Sequence, residues 1–194
     1  MSSADPRHSI FPDWLRKSLD GLYLVSGWLA GLFLISIFLI MLALSAGRPL
    51  GIDVPAGDDF ASWAMAATAF LGLAHTFRSG EMIRVGLLIE GLEGRKRWIM
   101  EMIALAIGTV TAVYFAWYGI DMTMTSFRFN DLSQGVIAVP LWIPQLGFSG
   151  GLAILAVAFV DEFLHVLFGG APRYEKPPPA TAEEVVERAI QSGA

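Results

Sequence analysis

The sequence predicts an all-α membrane protein: four transmembrane helices, with one or two amphipathic arm helices lying at the bilayer surface. Composition is the first ground. Of the 194 residues, 55% are hydrophobic and 16% charged, and the mean hydropathy of +0.57 is well away from a soluble globular average. Distribution is the second: the apolar residues gather into runs long enough to cross about 30 Å of hydrocarbon. The third is that Lys and Arg fall almost wholly in alternate connecting segments. Other classes are excluded on the same page. A net charge of −5 with no basic face leaves no role for nucleic acid. The absence of cysteine rules out disulfide frameworks, thiol catalysis and thiolate metal sites.

Residues 1–20 are polar, and Pro6 and Pro12 break any early helix. DWLRKSLDG (13–21) reads as a short surface helix, with Trp14 at headgroup level and Arg16 and Lys17 toward water or lipid phosphate. The first span is 21–46, too long for the ~7–15-residue core of a signal peptide, so no cleavable leader is expected. Gly and Pro mark 47–59 as a loop. The second span is 60–77, the third about 98–120, and the fourth 140–168, which carries no charge from Leu141 to Val160. The remainder, 169–194, is a largely disordered tail. Three prolines at 177–179 stiffen it, and Thr181 with Glu184 can cap a short helix that is marginal without a partner.

The connector RSGEMIRVGLLIEGL (78–92) is too polar to cross and too apolar for a solvated loop. On a helical wheel Met82, Val85, Leu88, Ile89 and Leu92 share one face, opposite Arg84, Glu90 and Glu93. Such a helix, over 80–93, lies in the interface plane. Ile83 and Leu87 add apolar surface on the polar side, which suits an arm with lipid below and a protein partner above. A plain surface connector is the alternative.

Eleven of the 13 Lys and Arg lie in the N-terminal segment, the 78–97 connector and the tail. Only Arg48 and Arg128 lie in the other two loops. Both termini and the connector are therefore expected in the cytoplasm, and an even number of spans agrees by requiring the termini to share a side.

Few residues suggest chemistry. Glu101 lies one turn inside the third span, where an ion pair with Arg97 competes with an ion-pathway role. Asp161, Glu162 and His165 have the spacing of a one-face metal site. Their position, just past the charge-free stretch, favours an ordinary water-facing helix end. His75 and His165 fall at similar depth and admit a shared haem. Small residues speak of assembly: Gly27 and Gly31 form a GxxxG pair, and Ala104, Gly108, Ala112 and Ala116 form a stripe. They serve either internal packing or a partner. No paired helix interruption and no midplane charge suggest a transport site within this chain.

DDFASWAMAATAFLGLAHTFRSGEMIRVGLL (58–88) resembles the small membrane subunit, DctQ type, of tripartite ATP-independent periplasmic (TRAP) transporters. In that family an acidic residue opens the second span, a basic residue ends it, and a Gly-x-His-Ile-x-Val-Asp-Leu-Leu-like segment follows. Asp58 or Asp59, Arg78, Gly80, Ile83, Arg84, Val85, Leu87 and Leu88 match. Met82 stands where the family has His, and Gly86 where it has Asp. VPLWIPQLGF (139–148) is similar to the family's Pro-x-Trp-x-Pro lead-in to the last span, through Pro140, Trp142 and Pro144. The resemblance covers about residues 14–168.

The resemblance implies a small permease subunit rather than an enzyme. It would be a multi-pass protein of the bacterial cytoplasmic membrane and a static scaffold for a large multi-span permease subunit. That large subunit would hold the substrate and sodium sites, and this chain no cofactor. A periplasmic substrate-binding protein would deliver an organic acid, a C4-dicarboxylate or a sugar acid. Gly80, Ile83, Arg84, Val85 and Leu87 of the arm, with Gly27, Gly31 and Gly108, are the candidate interface with the large subunit. Arg48, Arg128, Pro140, Trp142 and Pro144 are the candidate periplasmic contacts. The rival from another class is a haem-bearing or structural membrane anchor of a respiratory enzyme.

Overall fold

A computed structural model describes residues 13–51, 54–79 and 95–168, which contain four helices: α1 (Asp13–Leu50), α2 (Gly57–Ser79), α3 (Arg95–Phe129) and α4 (Trp142–Leu167). Each is long and apolar enough to cross a bilayer. Among the described residues there is no strand, only an isolated bridge between Leu132 and Pro140. The fold is that of an all-α membrane protein. The arm predicted over 80–93 and the tail from 169 lie outside the described residues.

The helix ends follow local chemistry. Pro49 in the last turn of α1 removes a backbone donor, and the helix stops one residue later. Gly51 then takes a left-handed conformation (φ 68°), and its N–H donates to the Arg48 carbonyl at 3.3 Å. Asn130 does the same after α3 (φ 50°). Its N–H donates to Phe127 O and that of Asp131 to Ser126 O, the paired bonds of a Schellman stop. Asp58 and Asp59 occupy the first turn of α2, where carboxylates suit the helix dipole. Pro144 falls in the first turn of α4, where no helical donor is lost.

α1 and α3 far outrun their predicted spans, and α2 exceeds its own by a few residues. Residues 13–20 form no separate surface helix; they open α1. After Pro12 nothing breaks the run, and Gly21 costs only about 1 kcal/mol relative to alanine. At 1.5 Å per residue α1 is about 57 Å long and α3 about 52 Å, against about 34 Å and 39 Å for α2 and α4.

The helices pack in a row, α1–α2–α4–α3, with only slight contact between α1 and α4 and no substantial packing of α3 on α1 or α2. Glycines set the closest approaches. A Cβ on Gly151 of α4 would meet the backbone of Phe70 in α2 at 2.5 Å, and one on Gly147 would meet Ala67 Cβ at 2.6 Å. Gly108 of α3 lies under the Phe159 ring of α4, and the Thr109 hydroxyl beside it donates to the Phe159 carbonyl at 3.3 Å. Ala112 and Ala116 continue that seam against Leu152 and Ala156. Gly27 of α1 lies against the His75 ring of α2, and Leu44 against Gly57. These contacts run α1 antiparallel to α2, α2 parallel to α4, and α3 antiparallel to α4. Asp13, Ser79, Arg95 and Leu167 therefore share one end, the terminal end; Leu50, Gly57, Phe129 and Trp142 share the other, the loop end.

Candidate functional site

At the loop end, residues 131–141 fold back on themselves. The Ser133 N–H donates to Val139 O at 2.8 Å and the Leu141 N–H to Asp131 O at 2.9 Å. The Ser133 hydroxyl donates to Ile137 O and accepts from the Val139 N–H, each at 3.0 Å. The tip of this hairpin-like loop crosses to the start of α2, where Gly135 rests against the Asp59 carboxylate with no room for a Cβ. The loop thus straps the α3–α4 pair to α2. Beneath the tip is a cavity of about 520 Å³, lined among others by Arg48, Asp58, Asp59, Gln134 and Val136.

Of the residues expected at this end, Arg48 lines the cavity from the last turn of α1. Pro140 closes the bridge to Leu132, and Trp142 stacks edge-on against Phe127 at 5.6 Å. Arg128 is exposed on the last turn of α3, away from the cavity lining. The strap itself was not anticipated. Its only sequence signal is a lone glycine within an otherwise apolar-flanked loop, which does not name Asp59 as the residue it meets.

On the flank of α1 an apolar groove of about 530 Å³ is lined by Leu24, Gly27, Trp28, Gly31, Leu32 and Ile35, with His75 from α2. Gly27 and Gly31 thus differ. His75 fills the space over Gly27, while nothing lies within 4 Å of a Cβ on Gly31. Gly108 is taken up by Phe159 within the chain. Of the alanine–glycine stripe on α3, Ala104 is exposed and only the part from Gly108 onward packs on α4. Gly80, Ile83, Arg84, Val85 and Leu87 lie outside the described residues.

The terminal end holds a correction. Asp161, Glu162 and His165 do not face water; all three are buried, Glu162 to 3% exposure. The physical reason is the packing order. α4 is an inner member of the row, so its last turns are enclosed by neighbours, and none of the three side chains is free. Glu101, in the second turn of α3, is also buried and accepts a hydrogen bond from Arg97 Nε at 3.3 Å, the predicted i,i+4 pair. Ser26 and Tyr23 of α1 are buried too, the Ser26 hydroxyl bonded to the Tyr23 carbonyl at 2.9 Å. No group of three ligating side chains among the described residues is arranged to hold a metal ion. His75 faces the α1 groove, whereas His165 is enclosed in α4.

Among the described residues, surfaces dominate this arrangement. It offers a long apolar flank on each side, a charged cavity under a strapped loop, and an interior of small residues and aromatic rings. No curated protein matches the chain. The family described as tripartite ATP-independent periplasmic transporters, DctQ component, matches residues 37–169, from the middle of α1 to just beyond α4. With more than half of its length inside that match, including the last part of α1 and the whole of α2, α3 and α4, this chain belongs to the DctQ component family of TRAP transporters.

Proposed function

We propose that this chain is the small permease subunit of its transporter, a static scaffold beside a large multi-span subunit that binds sodium and an organic acid, a C4-dicarboxylate or sugar acid. A periplasmic binding protein delivers that acid. The carrying observation is the row of helices. α2 and α4 are clasped between neighbours by glycine contacts, while the apolar stretch of α1 is only 6% buried and that of α3 22%. Two long apolar flanks on a rigid centre suit a part that is gripped rather than one that rearranges. Transport sites in secondary carriers use broken helices near the midplane. The four helices here are continuous, and Asp, Glu, Lys and Arg are missing from 21–47, 60–77, 102–120 and 141–160. The open notch at Gly31, with Trp28 75% exposed beside it, is where a partner helix can approach closely.

The Lys and Arg bias supports an orientation in the bacterial inner membrane with the terminal end in the cytoplasm and the loop end in the periplasm. The chain has no native cysteine, so single replacements report sidedness directly. Ser18→Cys should label from the cytoplasmic face and Gln134→Cys from the periplasmic face. The functional test is reconstitution. Uptake into liposomes should require this chain, the large subunit and the binding protein together. Uptake by this chain alone, or full uptake without it, would refute the reading.

A further inference from the structure

We propose that Asp121, on the outer face of α3, is an intramembrane carboxylate that pairs with a lysine or arginine presented at the same depth by a membrane helix of the large subunit. This rests on the scaffold reading above. The starting observation is one of level. Thr109 of α3 bonds to Phe159 of α4, Gly119 meets Ser149, and Phe127 stacks on Trp142. Gly147 and Gly151 of α4 meet Ala67 and Phe70 of α2, and Gly27 and Leu44 of α1 meet His75 and Gly57. On this scale the charge-free stretches of α1, α2 and α4 cover the same levels, and together they mark the hydrocarbon. That of α3 is out of step: residues 102–120 sit about 10 Å nearer the terminal end. Asp121 is therefore level with Gly147 of α4 and Ala67 of α2. It lies about 10 Å inside the loop-end boundary and within about 5 Å of the middle.

Asp121 also points away from the bundle. Gly108, Ala112, Ala116 and Gly119 turn toward α4. At about 3.6 residues per turn, Tyr114, Trp117, Tyr118, Asp121, Thr125 and Arg128 share the opposite face, and all are exposed. Among the described residues no hydrogen bond or ion pair engages the Asp121 carboxylate. Arg128 is two turns on, about 10 Å along the axis, and does not reach it.

Charge decides the occupant. Acyl chains offer a carboxylate no donor, and ionisable side chains within spans face protein or a water-filled cavity. Trp117 and Tyr118 lie at the same central depth, whereas the Trp and Tyr that serve lipid gather at the two bilayer surfaces. A second copy of this chain does not complement the face. Two-fold symmetry would set Asp121 against its own equivalent, and the charge-free stretches of α1, α2 and α4 bring no Lys or Arg to that depth. A partner helix with one cation near the bilayer centre does complement it, and the Tyr118 and Thr125 hydroxyls can add hydrogen bonds across the contact. A pair so enclosed fixes the depth and rotation of one helix against another, and removing either member leaves the other charge stranded.

The test uses the complete complex of small and large subunits, co-expressed and purified through a tag on the small one. Asp121→Leu removes a charge from hydrocarbon, so it should insert at least as well as the unaltered chain, yet retain at least tenfold less large subunit. Asp121→Lys should retain less still. Tyr118→Cys, carrying a benzophenone maleimide, should cross-link to the large subunit on illumination. Changing the lysine or arginine found beside that cross-link to aspartate should restore retention by Asp121→Lys severalfold. Retention unchanged or raised with Asp121→Leu overturns the proposal and leaves the scaffold reading intact. Cross-links to lipid alone, or to a second copy of this chain, overturn it in the same way, as does a cross-linked site with no basic residue beside it. An unaltered chain that retains no large subunit overturns both readings.

Discussion

Replacing Gly151 with alanine strikes the contact on which the row of helices depends. A Cβ there would lie 2.5 Å from the carbonyl carbon of Phe70 and 2.7 Å from the amide nitrogen of Leu71. Both are backbone atoms inside α2, so no rotamer change relieves the overlap, and α2 and α4 must part. Non-bonded carbons rest about 3.5–4.0 Å apart, so the opening needed is about 1 Å, and a gap of that size forfeits a quarter to a half of each facing contact's attraction. Nothing in the membrane compensates, because lipid tails are as apolar as the side chains they would replace. Against this, alanine is the better helix former by about 0.8–1.0 kcal/mol. Overpacking of this kind costs about 1–3 kcal/mol, which leaves a net loss of about 1 kcal/mol, a fivefold fall in the folded-to-unfolded ratio.

Two companions sharpen the reasoning. Gly147→Ala meets Ala67 at the same crossing, so the double variant should lose less than the sum of the two, one opening accommodating both methyl groups. Gly31→Ala meets nothing within 4 Å and should gain the helix-propensity term of about 0.8–1.0 kcal/mol in the isolated chain. The assay is reversible unfolding in mixed micelles with increasing dodecyl sulfate, followed by helical circular dichroism and by the fluorescence of the six tryptophans. If Gly151→Ala unfolds at or above the sulfate fraction of the unaltered protein, the central crossing is not where the structure has it.

Three further outcomes follow from other parts of the chain. Asn130→Ala should cost about 1 kcal/mol by forcing a Cβ residue without a helpful side chain into the left-handed region, whereas Asn130→Gly should be neutral or better in the same unfolding assay. Arg97→Ala should cost no more than about 1 kcal/mol, although Glu101 is buried: the arginine side chain is 41% exposed, so solvent screens the pair, and Glu101 keeps other contacts. A loss above 3 kcal/mol would mark the pair as a buried one instead. Lysine at Ile35 should cost about 2.5–3.5 kcal/mol of membrane insertion, while lysine at Leu22, also exposed on α1, should cost far less; equal costs in a translocon insertion assay would contradict the depth assigned to α1.

The four spans were legible because charge is excluded from hydrocarbon, and the sequence carries that exclusion as unbroken runs. Helix ends were less so. Residues 13–20 and 121–129 are helical but charged, and hydropathy stops where charge begins although the backbone continues. The packing order was illegible. Gly27/Gly31 and Gly108 were picked out by spacing, yet Gly147 and Gly151 have the same spacing and form the tightest crossing. Spacing tells that a backbone can be approached, not by what. The acid–histidine group on α4 was misplaced for the same reason. Sequence put it past the end of a span, and only the inner position of α4 encloses it.

That packing also fixes how a 38-residue helix fits a membrane beside a 23-residue one. The charge-free part of α1, 21–47, is about 40 Å long, and that of α2, 60–77, about 27 Å. A lone helix so long would tilt to bury its excess. α1 is not free to do so. It touches α2 near both ends of the shorter helix, Gly27 on His75 and Leu44 on Gly57, and these contacts are about 26 Å apart on α1 and 27 Å apart on α2. The axes are therefore nearly antiparallel, and any tilt must be shared. Tilting the pair far enough to sink all of α1 would shrink the reach of α2 to about 20 Å, well short of the hydrocarbon. The solution is that α2 matches the hydrocarbon core of about 30 Å, while α1 matches the full thickness of about 40–45 Å including headgroups. Leu22 then lies at headgroup level and Ile35 near the midplane, which is why the two lysines should differ. The overhang at the loop end carries Arg48 up to the strap, so the excess length of α1 brings its charge to the cavity beneath Val136.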